Sequence, residues 1–256
     1  MQKFFVDIEN INLETKSITI TSEDVNHIKN VLRCKEGELI EICEKSEFPS
    51  KYVCEISKLD KEQILCNIKE KIEVSNESNI KLHIFQGIPK AEKMEFIIQK
   101  CTEIGATSFT PVEMHRCVVK LNLKDRVKKI ERWNKIAEVA AKQSMRDIIP
   151  KVNNIIDINE LSKEISKYDL VLAAYEEEKN NFIKEALQNI KNTNFNIAVI
   201  IGPEGGIEAK EVETLKNSGA KIISLGNRIL RTETAPIVLA SIIMYELGDI
   251  GTRRNL

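Results

Sequence analysis

Apolar and polar positions alternate over roughly the first 70 residues, the period of half-buried strands. Phe4–Val6, Ser17–Ile20, Glu38–Cys43, Lys51–Ser57 and Gln63–Lys69 are the predicted strands, and in the last of these Ile64, Cys66 and Ile68 share one face. One helix interrupts them. Thr21 and Asp24 can form its capping box, Val25, Ile28 and Leu32 its buried stripe, and Gly37 its end. Short strands with a single helix predict a small β-barrel. The polar stretch Glu70–Asn79 then marks a boundary, which divides the chain into domains at 1–72 and 73–256.

From Ile80 onward the period changes. Strand Lys81–Gln86 leads to helix Glu92–Ile104, where Met94, Ile97, Ile98, Cys101 and Ile104 line one side and Gly105 stops the run. Strand Thr107–Met114 and a long helix from Leu123 to Met145 follow. Strand Leu170–Ala174, helix Asn180–Ile190, strand Ile197–Ile201, helix Glu208–Ser218, strand Lys221–Leu225 and a last helix, Pro236–Leu247, complete the pattern. Such alternation predicts a parallel sheet covered by helices on both faces. In sheets of this kind ligands bind beyond the carboxyl ends of the strands.

Two of the loops at those ends are unusual. Ile200–Gly206 reads IIGPEGG, and its glycines allow close backbone approach to a ligand. Leu225–Pro236 reads LGNRILRTETAP, with the apolar pair Ile229-Leu230 set between Arg228 and Arg231. Apolar atoms so placed can wall an adenine-sized ring while backbone groups bind its edge. Neither loop is a phosphate-cradling G-x-x-x-x-G-K or a dinucleotide G-x-G-x-x-G, which disfavours a nucleoside triphosphatase or a nicotinamide oxidoreductase.

Composition and charge refine this only locally. No apolar run approaches the ~20 residues of a membrane helix, and MQKFFVDIEN does not read as a signal peptide, so a cytoplasmic protein without membrane partners is expected. The six cysteines form no C-x-x-C pair and the three histidines are dispersed, so buried thiols are expected rather than a metal centre. Net charge is −1, yet residues 88–151 hold 14 lysines and arginines against 8 acids. That surplus is either a solvated helix face or a phosphate-binding surface.

GPEGG followed by LGNRILRTETAP resembles the carboxy-terminal half of the 16S ribosomal RNA uracil-N3 methyltransferases, members of the SPOUT superfamily of trefoil-knotted enzymes. HIKNVLRCKEG (27–37), KAEKMEFIIQKCTEIG (90–105), the segment ending HRCVV and QSMRDIIP (143–150) follow in that family's order. The chain departs from the family pattern at Lys142, His115 and Cys117. The resemblance implies an α/β protein in which a PUA-like β-barrel for RNA precedes a knotted parallel-sheet domain. It also implies a homodimer, S-adenosylmethionine as cofactor and the small ribosomal subunit as partner. A sulfonium methyl donor needs no metal.

Carried over residue by residue, the cofactor site would comprise Leu172, Ala173, Ala174, Ile201, Gly202, Pro203, Gly205, Gly206, Leu225, Gly226, Ile229, Leu230, Thr234 and Ala235. Loss of the N3 proton leaves an imide anion that a cation near O2 or O4 would stabilise, a role for Arg231. Glu204 would accept the proton if burial raised its pKa. Structural alternatives are an Arg231–Glu233 ion pair and a helix cap at Glu204. Arg33, Lys90, Lys93, Arg116, Gln143 and Arg146 are the candidates for RNA contact. An RNA-binding assembly factor that has lost the chemistry, or a knotted methyltransferase with another target, would share most of these features.

Overall fold

The computed structural model describes residues 1–21, 23–73, 75–188, 190 and 194–252. The chain forms two compact units, one of residues 1–77 with 141–149, the other of residues 78–140 with 150–256. Among the described residues no helix is long and apolar enough to cross a membrane.

The first unit holds strands β1 (Gln2–Val6), β2 (Ile11–Asn12), β3 (Ser17–Ile20), β4 (Leu39–Glu44), β5 (Lys51–Leu59) and β6 (Ile64–Ile72) in the order β1-β4-β5-β6-β3-β2. Only β1 and β4 run parallel. The six strands curl into half of the expected barrel, and the end strands β1 and β2 do not pair among the described residues. Alternation puts Ile18, Ile20, Ile40, Ile42, Cys54, Ile56, Ile64 and Cys66 into one core with Phe4, Val25 and Ile28. Burial pushes the Cys54 and Cys66 thiols up to about 12, so they act as small apolar fillers.

Helix α1 (Glu23–Asn26) continues as a π-turn over His27–Val31, which keeps Val25 and Ile28 inward. Among the described residues no hydrogen bond forms the expected capping box of Thr21 and Asp24, and the Asp24 carboxylate accepts from Lys142 Nζ at 2.8 and 3.0 Å. Residues 141–149 are bound into this unit by buried charge. Asp147 receives Lys3 Nζ at 2.6 Å, Lys51 Nζ at 3.1 Å and the Asn76 N–H at 2.6 Å, while Lys3 also meets Glu41 at 2.7 Å. Beside it the Arg146 guanidinium forks onto Glu77.

The second unit is a parallel sheet of β7 (Ile80–Gly87), β8 (Ala106–Glu113), β9 (Lys151–Val152), β10 (Ile156–Asp157), β11 (Leu170–Ala174), β12 (Phe195–Ile201) and β13 (Lys221–Ile223). The order is β10-β8-β7-β12-β11-β13, with β9 also on β8. Its helices are α2 (Lys93–Ile104), α3 (Leu123–Gln143, whose last turn counts with the first unit), α4 (Ile158–Glu164), α5 (Ile183–Leu187), α6 (Ala209–Asn217) and α7 (Thr234–Glu246). Central strand β12 is buried from Ile197 to Ile201, as its unbroken apolar run requires. Gly105 ends α2 at φ +114, a conformation open to glycine.

The helix expected over Asn180–Ile190 is shorter. The Glu178 carboxylate accepts from the N–H groups of Asn180 and Asn181, and Phe182 pairs with Ser224 as an extension of the sheet, so helix begins only at Ile183. Asn189, within the expected span, lies outside the described residues. Strands β9 and β10 and helix α4 have no counterpart in the periodic pattern, being too short to show one.

Candidate active site

A cleft of about 490 Å³ opens at the carboxyl ends of β11, β12 and β13, beside the amino end of α7. That is where a parallel sheet leaves loops free to bind a ligand, and its volume is within the range of cofactor pockets. Ala174, Tyr175 and Glu176 line it after β11, and Ile201, Gly202, Pro203, Glu204 and Gly206 after β12. Ser224 through Thr232 contribute after β13, with Ala235 from α7 and Lys93 from α2.

The first glycine loop is tightly constrained. A Cβ on Gly202 would fall 2.9 Å from the Gly206 carbonyl carbon and from Ile207 Cγ1. Gly206 has φ +74 and donates its N–H to the Pro203 carbonyl at 2.9 Å, so the chain turns back directly over the strand end. Beneath the loops Gln86, at the end of β7, donates from Nε2 toward Gly202 O and Thr232 Oγ1.

Charge gathers at the rim. Lys93 Nζ stands 3.0 Å from Glu204 and 3.1 Å from Glu233. Those two carboxylates raise the Lys93 pKa, so it stays protonated. Partial burial alone would raise Glu204. Backbone N–H groups, the Lys90 N–H at 3.1 Å among them, and the Lys93 ammonium outweigh it and hold the carboxyl below its ordinary value. Burial therefore does not raise the Glu204 pKa, which was the condition for Glu204 to accept the proton. Glu204 does not cap α6 either, since Glu208 and Glu211 form that capping box. Glu233 spends its carboxylate on Lys93, and Arg231 is exposed, lines the cleft and has no ion pair among the described residues.

Of the cofactor positions expected from sequence, Ala174, Ile201, Gly202, Pro203, Gly206, Leu225, Gly226, Ile229, Leu230 and Ala235 meet at the cleft. Leu172 and Ala173 are buried in β11, and Gly205 and Thr234 are not among the lining residues. Ile229 is 86% exposed, an edge of the cleft more than a wall. Tyr175, Glu176, Ser224, Asn227, Arg228 and Thr232 were not anticipated. The first two directly follow a predicted strand, so the strand-end rule alone could have pointed to them.

The RNA candidates separate. Arg33, Lys90 and Gln143 are exposed. Arg116 is exposed, but its Nη1 donates to Gly205 O at 2.9 Å and so steadies a cleft loop. Lys93 lies in the rim cluster. Arg146 is only 6% exposed and its guanidinium is committed to Glu77, which removes it as a phosphate contact.

A parallel sheet with a backbone-lined cleft at its strand ends fits a nucleotide-like cofactor, and the family comparisons give the class. The family described as RNA methyltransferase domain matches residues 76–244, and that described as RNA methyltransferase PUA domain matches residues 20–69. The chain belongs to this family of RNA methyltransferases. More particularly, it is 38% identical over 250 residues to the ribosomal RNA small subunit methyltransferase E of Bacillus subtilis (strain 168), covering 96% of this chain and 97% of that one. With its counterpart in Mesomycoplasma hyopneumoniae (strain 232) it shares 34% over 239 residues, or 93% and 97% of the two chains. A crystal structure of the Neisseria gonorrhoeae enzyme of that name, bound to S-adenosyl methionine, superposes with a TM-score of 0.83 at 27% identity over 98% and 99% of the chains. A Legionella pneumophila protein in complex with the bound cofactor SAM gives 0.85 at 29% over 97% and 98%.

Proposed function

We propose that this protein transfers a methyl group from S-adenosylmethionine to N3 of a uridine in the 16S RNA of the small ribosomal subunit. The observation that carries the reading is the cleft itself. Gly202 leaves no room for a side chain and Gly206 turns at φ +74, so the chain passes over β12 with backbone groups presented to a ligand of cofactor size. When bound, the cofactor supplies an electrophilic methyl.

The residues of this chain then have to orient the base and manage one proton. Arg231, unpaired among the described residues at the cleft, is placed to stabilise the anion that forms on a uracil oxygen as the N3 proton leaves. Glu204, ionised at neutral pH, accepts the N3–H hydrogen bond at a carboxylate oxygen. Its lowered pKa suits it to orienting that proton better than to keeping it, and the proton passes on to solvent water as the anion forms. The methyl donor would rest against Ala174, Ile201, Leu225 and Leu230.

The finer architecture is part of this proposal. In the strand order β12 lies between β7 and β11 while β13 lies beyond β11, a path compatible with a trefoil knot. The amino-terminal sheet serves as a PUA-like RNA-binding domain. Helix α7 is apolar nearly all round, and its Ile237, Val238 and Ile242 are only half covered while Tyr245 is exposed, which suits a homodimer contact. Action on ribosomal RNA supports a cytoplasmic location. Mass spectrometry of 16S nucleosides from cells with and without the gene tests the reaction. Loss of one N3-methyluridine without the gene is expected, and an unchanged nucleoside profile would overturn the reading.

A further inference from the structure

Gln86 sits one residue from the end of β7, is 0% exposed, and is not among the residues that line the cleft. An apolar side chain would fill such a position at lower cost, because a buried amide must find partners for every polar atom. Its Nε2 reaches three oxygens, Gly87 O at 3.0 Å, Gly202 O at 3.3 Å and Thr232 Oγ1 at 3.0 Å. Thr232, also buried, donates its own hydroxyl to Gly202 O at 2.7 Å, so its oxygen is left to accept from Gln86. This fixes the amide orientation, since the reverse would press Oε1 against two carbonyl oxygens. Oε1 is left buried with no hydrogen-bond partner among the described residues. Stability alone does not account for this residue.

What the amide joins is informative. Gly202 begins the loop after β12 and Thr232 closes the loop after β13, and both line the cleft. Gly87, whose carbonyl takes the third bond, packs so closely on Pro203 that a Cβ there would meet Pro203 Cδ at 2.6 Å. One buried side chain thus sets the spacing of the strand end and both loops.

We infer that Gln86 and Thr232 are positioning residues for the cofactor, a hydrogen-bonded tie that holds the Gly202 and Thr232 loops at the separation their backbone groups need to grip it. The inference rests on the proposal that this cleft takes S-adenosylmethionine. Neither side chain acts on the reacting atoms, because Gln86 is shielded from the cleft and the Thr232 hydroxyl is spent on Gly202.

The test uses the full-length protein and the variants Thr232→Val, Thr232→Ser and Gln86→Met, with S-adenosylmethionine titrated by calorimetry, RNA kinetics at saturating cofactor, and melting temperature. Valine and methionine keep shape and lose the bonds; serine keeps the hydroxyl. Thr232→Val and Gln86→Met should each weaken cofactor binding about tenfold, because loops no longer tied must be ordered as the cofactor binds. KM for RNA and the melting temperature should stay near the parent's, and Thr232→Ser should bind as the parent does. The double variant should be little worse than either single one, because both break the same tie. Parental cofactor affinity in Thr232→Val or Gln86→Met, or Thr232→Ser as weak as Thr232→Val, would overturn the inference. So would a loss that follows lowered melting in all three. A parent protein that itself fails to bind the cofactor would instead overturn the proposed function, and this inference with it.

Discussion

Lys93 Nζ stands 3.0 Å from the Glu204 carboxylate, so a helix and a glycine loop share one charge at the rim of the cleft. The pair holds Glu204 ionised below its ordinary value of 4.5 and holds Lys93 above its ordinary 10.5. Replacing the lysine by methionine removes the ammonium and leaves partial burial opposed only by backbone N–H groups, so the Glu204 pKa should rise. If the ionised carboxylate orients the N3 proton, the acid limb of the pH dependence of kcat/KM should move to higher pH in Lys93→Met. An acid limb that stays in place would remove Glu204 from the reaction.

Gly202 should be the least replaceable cleft residue. An alanine methyl there meets backbone at 2.9 Å, and backbone cannot swing aside as a side-chain end can. Overpacking of this kind costs about 1–3 kcal/mol, roughly ten- to a hundredfold in cofactor affinity. Calorimetry with Gly202→Ala checks it, and undiminished binding would show that the loop has room to relax.

Two arginines that look alike along the chain should behave differently. Arg33 is exposed and lies in no ion pair among the described residues, so Arg33→Ala should leave melting unchanged. It should also lower the salt slope of RNA affinity by about 0.7–0.9 if the arginine neutralises one phosphate. Arg146 is buried against Glu77, and Arg146→Ala leaves that carboxylate with only the Asp147 and Ile148 N–H groups, at a cost of about 3 kcal/mol. Thermal melts and salt titrations of both variants separate the two roles.

Much of the second unit was legible because its strands and helices are long enough to carry a period and its two ligand loops carry several glycines and prolines. The partners of Arg146 and Lys93 were not legible for a different reason. A charged residue in a loop or first helical turn reads as solvated, and only the fold brings Glu77 or Glu204 to it. Gln86 gave even less warning, since a polar residue closing an apolar strand looks like its exit into solvent. Its partners lie 116 and 146 residues away along the chain.

The Asp147 cluster should make the amino-terminal unit acid-sensitive. Burial would raise this carboxyl, but Lys3, the Asn76 N–H and Lys51 together hold it below its ordinary value of 3.8. A depressed carboxyl stabilises the fold fully above its unfolded-state pKa, and that contribution fades as pH falls through the folded one. Asp147→Asn leaves the Lys3 and Lys51 ammoniums buried without their shared anion, and about 3 kcal/mol or more should be lost at neutral pH. The variant should also melt with a flatter dependence on pH below 5. A parental melting curve at both pH values would show that the cluster contributes no net stability.

Because Asp147 follows the whole of α3, the amino-terminal unit is not finished when Glu77 has been made. During synthesis Lys3, with only Glu41 for a partner, and Lys51 must wait for a carboxylate almost a hundred residues downstream of Lys51. A nascent chain halted before Asp147 would therefore carry an incomplete first unit, and a fragment cut at residue 77 would lack its keystone. Supplying residues 141–149 to such a fragment as a separate peptide should restore what truncation removes.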